Sequence, residues 1–259
     1  MGVIGQPIPR VEGPAKVSGT ATFAAEFHPE RLAYAATVRA TVPRGRIEAI
    51  DTAAAEALPG VVAVLTHENA PRLPWRPVEQ APVDPGGGEQ LKPLQSDRIH
   101  FAGQPIALVV AESQEAAREA AMLVRVACVA DEGVGLVFDP ARGRPPSAGT
   151  QESYPAEWER GDTAGSLAAS AVQVEGEYLQ PRLYHNAMEP HATIAAWDAE
   201  GGLTLWDKSQ WVDNVRDQIA RNFGLDEKQV RVISPFVGGA FGAALRCWPH
   251  VTLTAMAAK

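Results

Sequence analysis

Two cysteines, Cys128 and Cys247, are all that this 259-residue sequence contains. They lie far apart with no Cys-x-x-Cys or Cys/His spacing, so the side chains offer no pattern for zinc or an iron–sulfur cluster, and both read as reduced thiols. Basic residues are scarce too: 23 Lys and Arg stand against 31 Asp and Glu, a formal net charge of -8. Without a basic excess the chain is poorly suited to phosphates or an anionic membrane, so nucleic acid is excluded as an expected partner. No uninterrupted apolar stretch approaches the ~18 residues of a membrane span, and residues 1–10 lack the charged and apolar segments of an export signal. Gln6 stands where a myristoylation signal needs Ser or Thr.

What is present suffices for a buried core: 46% of the residues are hydrophobic, and the length allows one large domain or two ordinary ones. Residues 34–42 alternate like a half-buried strand, and 47–65 read as strand, Ala-rich helix, Pro59-Gly60 turn and β-branched strand. Between Pro71 and Pro93 the prolines and the triplet Gly86-Gly87-Gly88 predict a long exposed loop. The Gly103-Gln104-Pro105 turn and an apolar strand over 106–110 follow. Next comes a helix capped by Ser113, with Ala116, Ala120 and Leu123 expected on one face.

Residues 140–146, rich in Pro, Gly and Arg, read as the domain linker. Beyond them strands are expected over 171–178, 191–197 and 203–206, then a helix with Val215, Ile219 and Phe223 at helical spacing before Gly224, and a strand over 230–234. Residues 248–259 read as an apolar helix with Pro249 in its first turn and no stop signal, as expected where further chain has been removed.

The stretch Val237-Gly238-Gly239-Ala240-Phe241-Gly242-Ala243 is the most informative. Its glycines allow positive φ and close approach of backbone to a bulky ligand, and its amides can form an anion-receiving concavity. The GxGxxG and GK[ST] spacings are absent, which disfavours ordinary nucleotide-binding folds. Ser234 lies outside any GxSxG context, so a hydrolase has little support. His185 and His191 around Glu189 lack the HExxH spacing, so no metal role is expected of them.

Several segments together carry a resemblance. Gln210, in Lys208-Ser209-Gln210-Trp211, precedes the glycine loop by one helix and one strand. Residues 10–19 (RVEGPAKVSG), 103–107 (GQPIA), 185–193 (HNAMEPHAT) and 231–236 (RVISPF) add to it. The sequence resembles the molybdenum-binding large subunit of the aldehyde oxidase and xanthine dehydrogenase family, in its bacterial aldehyde-oxidising branch. The resemblance covers nearly the whole chain. The implied fold class is α+β: an extension over 1–15, a hammerhead-type α/β domain over 16–140, and the first part of a molybdopterin-binding α+β domain over 150–259.

The family's molybdenum is held by a pterin dithiolene and not by protein side chains, so the resemblance implies no protein metal ligand; it hydroxylates aldehydes or related electron-poor carbons with oxygen from water. By carry-over Gln210 would give its amide to the metal's oxo ligand, and Gly238, Gly239, Ala240, Phe241 and Gly242 would line the cofactor. The expected cofactor is molybdopterin cytosine dinucleotide with molybdenum. An iron–sulfur small subunit and an FAD-binding medium subunit are the expected partners, together with a chain supplying the C-terminal part of the large subunit. No catalytic residue is assignable, because the family's general base lies in that part.

Ala243, Ala244 and Leu245 stand where the xanthine-oxidising branch has a purine-binding glutamate, which argues against purine oxidation; a xanthine or N-heterocycle dehydrogenase subunit is an alternative. The rival from another class is a non-catalytic assembly module. The compartment is expected to be cytoplasmic, or periplasmic by export with a signal-bearing partner.

Overall fold

The computed structural model describes residues 4–75, 91–133, 160–181 and 183–259. The tip of the predicted proline-rich loop and the predicted linker over 140–146 lie outside them. The elements run α1 (Gly13–Ser18), β1 (Tyr34–Arg39), β2 (Gly45–Asp51), α2 (Ala53–Glu56), β3 (Val61–Thr66), β4 (Arg98–Ile99), β5 (Pro105–Ala111), α3 (Gln114–Leu123) and β6 (Arg125–Ala130). They continue with α4 (Thr163–Ala169), β7 (Thr193–Trp197), β8 (Leu203–Asp207), α5 (Val212–Phe223), β9 (Val230–Ile233) and α6 (Pro249–Ala258).

The chain forms two compact units, one of which lies within 135–184. Its described part holds α4, whose first turn is capped where the Gly165 amide donates to Asp162 Oδ1 at 2.8 Å. The expected strand over 171–178 is not formed: Val172, Val174 and Tyr178 are exposed and no described strand pairs with them. Alternation supplies the face of a strand, but a strand also needs a neighbour to take its backbone N–H and C=O groups, and among the described residues there is none.

The larger unit contains three three-stranded sheets among the described residues, ordered β1-β5-β3, β4-β2-β6 and β7-β8-β9. β5 is central in the first and antiparallel to both neighbours, and every residue from Ile106 to Ala111 is buried. α3 begins as the sequence predicts, with the Ala116 amide donating to Ser113 Oγ at 3.1 Å. Its buried face is Ala117 and Ala120, while Leu123 is exposed. The helix is thus rotated from the expected face, because Val124, just past its end, takes the apolar site that Leu123 was expected to fill.

In the third sheet β8 pairs antiparallel with β7 and parallel with β9. A parallel pair requires a crossover, and α5 provides it. The helix stops at Gly224, whose φ of 71° is the left-handed conformation that glycine adopts without a Cβ penalty. α6 is buried on several sides, through Val251, Thr252, Leu253, Ala255 and Met256, as a mostly apolar helix without a polar face must be. The apolar ones among these share one cluster with Leu203, Leu205, Val215 and Ile219, and Ala70, Leu94 and Leu108 join it from the first half of the chain.

Candidate functional site

β8 and β9 run side by side in the same direction, so their carboxyl ends deliver two loops to one place, the position where open α/β sheets bind ligands. The β8 exit is Lys208-Ser209-Gln210, and the β9 exit leads into the glycine loop. Ser234 joins them: its hydroxyl donates to the Ser209 carbonyl at 3.0 Å and accepts from the Ser209 amide at 3.2 Å. Further along, the Gln210 amide donates to the Ala244 carbonyl at 3.0 Å. Gln210 is exposed, which leaves its side chain accessible beside the loop.

Each small residue of the loop has a different task. At Gly238 an added Cβ would stand 2.7 Å from Glu189 Cβ, so the missing side chain lets two segments of the protein close on each other. Gly239 has φ 96°, with Ala187 Cβ at 3.5 Å from its added Cβ position. Gly242 has φ 88° and nothing within 4 Å of that position, so its backbone faces open space. Ala240 is not among the positive-φ residues, whereas Phe241 is, at 50°. The methyl of Ala240 therefore costs the backbone little, and the strain sits one residue later. The Phe241 ring is 73% exposed, far above what a large apolar side chain in a finished core would show.

The loop is braced from two sides. On one, Lys16 Nζ donates to the Val237 carbonyl at 3.3 Å, and Phe23 meets Phe236 with ring centroids 6.1 Å apart. On the other, the Gly238 amide donates to Glu189 Oε2 at 2.7 Å and the Glu189 amide donates to the Gly238 carbonyl at 3.1 Å. The Lys208 ammonium donates to the Glu189 carbonyl. Glu189 Oε1 is buried and accepts no hydrogen bond among the described residues.

A polar layer lies at the end of β8. Asp207 is buried and accepts a hydrogen bond from Thr193 Oγ1. Burial pushes its carboxyl up to about 6, and the nearby Glu189 charge adds to this against the Thr193 bond. His250 Nε2 stands 3.9 Å from Asp207 Oδ1, too far for a hydrogen bond. Burial, and then His191, lowers the His250 imidazole to about 4. A buried carboxyl and a half-buried imidazole that both favour their neutral forms at 3.9 Å do not make a strong ion pair, and among the described residues Nε2 has no hydrogen-bond partner. His191 is shifted down by burial, then by Lys208 and His185. Burial also raises the Cys247 thiol, so it stays protonated. Among the described residues no group of three His, Cys, Asp or Glu side chains stands close enough to hold a metal ion.

All the residues singled out in the sequence thus meet at one edge: Gln210, Gly238, Gly239, Ala240, Phe241 and Gly242. The sequence reading missed the polar layer of Asp207, Lys208 and His250; it took the segment with Glu189 as structural, near the floor of the site, but not its contact with Gly238. The run Asp207-Lys208-Ser209 at the end of an apolar strand was the available signal.

Two family profiles match the chain: residues 18–129 match the aldehyde oxidase and xanthine dehydrogenase a/b hammerhead domain, and residues 146–259 match the molybdopterin cofactor-binding domain. The chain belongs to the aldehyde oxidase and xanthine dehydrogenase family. It is 36% identical to the aldehyde oxidoreductase molybdenum-binding subunit PaoC of Escherichia coli strain K12, over 99% of this chain and 33% of that protein. It is 29% identical to the nicotine 6-hydroxylase large subunit of Paenarthrobacter nicotinovorans, over 99% of this chain and 32% of that one.

Among solved structures it resembles quinoline 2-oxidoreductase from Pseudomonas putida 86, with a TM-score of 0.79 and 26% identity over 97% of this chain and 32% of that chain. It also resembles the aldehyde oxidoreductase of Desulfovibrio gigas, with a TM-score of 0.76 and 29% identity over 96% and 28%. The chain spans about a third of the length of the curated relatives it matches.

The residues present fit a large pterin cofactor. Gly242 offers open backbone, Phe241 an exposed ring and Gln210 an accessible amide, all on the same edge.

Proposed function

We propose that this chain supplies one wall of the cofactor site of a molybdenum hydroxylase that oxidises aldehydes. The observation that carries the proposal is the pairing of an exposed glutamine with an open glycine loop. Gln210 is tied by its backbone to Ala244, two residues past Gly242, so the strand exit that carries it is held against the end of the loop. An amide donates to a negatively polarised ligand oxygen without adding charge, and bare backbone allows a flat ring system to pack against it. When bound, molybdopterin supplies the hydroxylation chemistry, with water as the oxygen source.

On this reading Gln210 would orient the cofactor through its side-chain amide, and Gly239 to Gly242, with the exposed Phe241 ring, would form the surface that holds it. The 36% identity to PaoC, an aldehyde oxidoreductase molybdenum-binding subunit, over nearly all of this chain supports molybdenum and an aldehyde substrate; the cytosine dinucleotide form of the cofactor is what the family resemblance implies. That relative is named a subunit, which supports further subunits as partners; an iron–sulfur small subunit and an FAD-binding medium subunit are the electron carriers that the family resemblance implies. Aldehydes are favoured over purines because Ala243, Ala244 and Leu245, which follow the loop, offer no side chain that accepts a purine N–H.

The test is Gln210→Ala in the assembled enzyme. Aldehyde turnover per bound molybdenum is expected to fall about tenfold or more, the value of one hydrogen bond to a charged group, while assembly persists. Unchanged turnover would remove Gln210 from the site.

A further inference from the structure

We infer that Glu189 is a positioning residue for the cofactor wall: it locks the glycine loop and the Gln210 strand exit into one fixed arrangement. The inference rests on the reading of that wall given above. Glu189 touches both halves, beside the links made by Ser234 and Ala244. Its side chain accepts from the Gly238 amide at 2.7 Å, and its own amide donates to the Gly238 carbonyl at 3.1 Å. Its carbonyl accepts from the ammonium of Lys208, a residue only 2% exposed that stands two positions before Gln210. A displacement of Glu189 therefore moves the loop relative to Gln210.

The contact is tight as well as polar. The gap between Gly238 and Glu189 Cβ has no room for even one added carbon, at 2.7 Å. Asn186, three residues before Glu189, has φ 41°, a strained turn that is kept only where surrounding contacts enforce it. The second carboxylate oxygen, Oε1, is buried with no donor among the described residues. A segment serving only stability gains nothing from a half-satisfied buried carboxylate, since an apolar side chain of that volume would fill the space at lower cost. What the carboxylate adds is a charge-assisted grip on one backbone amide, which fixes direction and distance together.

The experiment compares Glu189→Ala and Glu189→Gln in the molybdenum-loaded enzyme, with three readouts: hydrogen exchange of the peptide containing Gly238, molybdenum content, and aldehyde turnover per bound molybdenum. Exchange at Gly238 reports the clamp whether or not a cofactor is present. In Glu189→Ala, exchange is expected to accelerate about tenfold or more, as the loss of a charge-assisted hydrogen bond implies. Turnover per bound molybdenum should fall with KM little changed. In Glu189→Gln the amide oxygen still accepts from Gly238 but without the charge, so both readouts should fall between the parent and Glu189→Ala, within about fivefold of the parent, the difference between a charged and a neutral hydrogen bond.

Unchanged exchange in Glu189→Ala overturns the clamp. Faster exchange with unchanged turnover per molybdenum overturns the positioning role and leaves a structural one. Should Glu189→Ala not fold, Glu189→Asp, one methylene shorter, takes its place with the same expectations. A parent enzyme that binds no molybdenum overturns the cofactor wall itself, and the exchange readout still decides the clamp.

Discussion

β5 and β8 are both central strands of three-stranded sheets, yet they end differently. β5 is apolar and buried from Ile106 to Ala111. β8 begins in the same way, with Leu203 and Leu205 at 1% and 0% exposure, and then runs into Asp207, Lys208 and Ser209, all equally buried. A strand built only for stability has no reason to bury a carboxylate, an ammonium and a hydroxyl in a row. The difference marks where the fold gives up stability to hold a site, and it lies under the glycine loop.

The comparison sharpens first in the apolar halves. Leu108→Ala on β5 and Leu205→Ala on β8 should each cost about 3–5 kcal/mol, the transfer of the lost atoms plus the cavity left behind, read from urea unfolding. A much smaller loss in Leu205→Ala would mean that the β8 sheet is loosely packed, and the contrast with β5 would begin earlier along the strand.

The polar halves should separate through pH. Asp207 holds its proton up to about 6, whereas an unfolded Asp releases it near 3.9, so its share of stability is fully present at low pH and is lost as pH rises from about 4 to 6. His250 is neutral in the fold down to about 4, so its share is present above about 6.5 and is lost as pH falls through that range. The two shares oppose each other over nearly one window. Asp207→Asn should leave stability that declines on acidification from pH 6 to 4 relative to the parent, and His250→Gln should leave the reverse, each by up to roughly 3 kcal/mol. Urea midpoints at pH 4, 5, 6 and 7 measure this. Variants that track the parent would show that burial does not bias the two groups.

Gly238→Ala tests the loop above them. Its Cβ would fall 2.7 Å from Glu189 Cβ, and the forced shift should cost about 1–3 kcal/mol, the usual range for overpacking. A neutral result would show that the Glu189 segment yields freely and that the loop is not held.

The parts of the fold that depend on neighbours in sequence were legible. Ser113 caps α3, Gly224 ends α5, and Val215 and Ile219 face the core as their spacing required. What depends on distant partners was not. The alternation over 171–178 looks like a strand, but it has no described partner to pair with. The buried face of α3 was displaced because Val124, outside the helix, completes the apolar cluster. At the site, Gln210 and residues 238–242 were recognisable as motif residues, and the structure brings them to one edge. Glu189 and Gly238 are 49 positions apart, and nothing local in either segment encodes their contact. Asp207 and His250 are separated likewise, and neither reads as unusual until burial shifts both.

The most direct measurement of the central claim is molybdenum and pterin analysis of the large subunit containing this chain, purified from cells that make the cofactor, with co-purifying proteins identified by mass spectrometry. The cofactor wall predicts stoichiometric molybdenum, cytosine dinucleotide pterin, and iron–sulfur and flavin subunits alongside. Correctly folded protein without molybdenum would contradict it, and the glycine loop would then serve a non-catalytic assembly module.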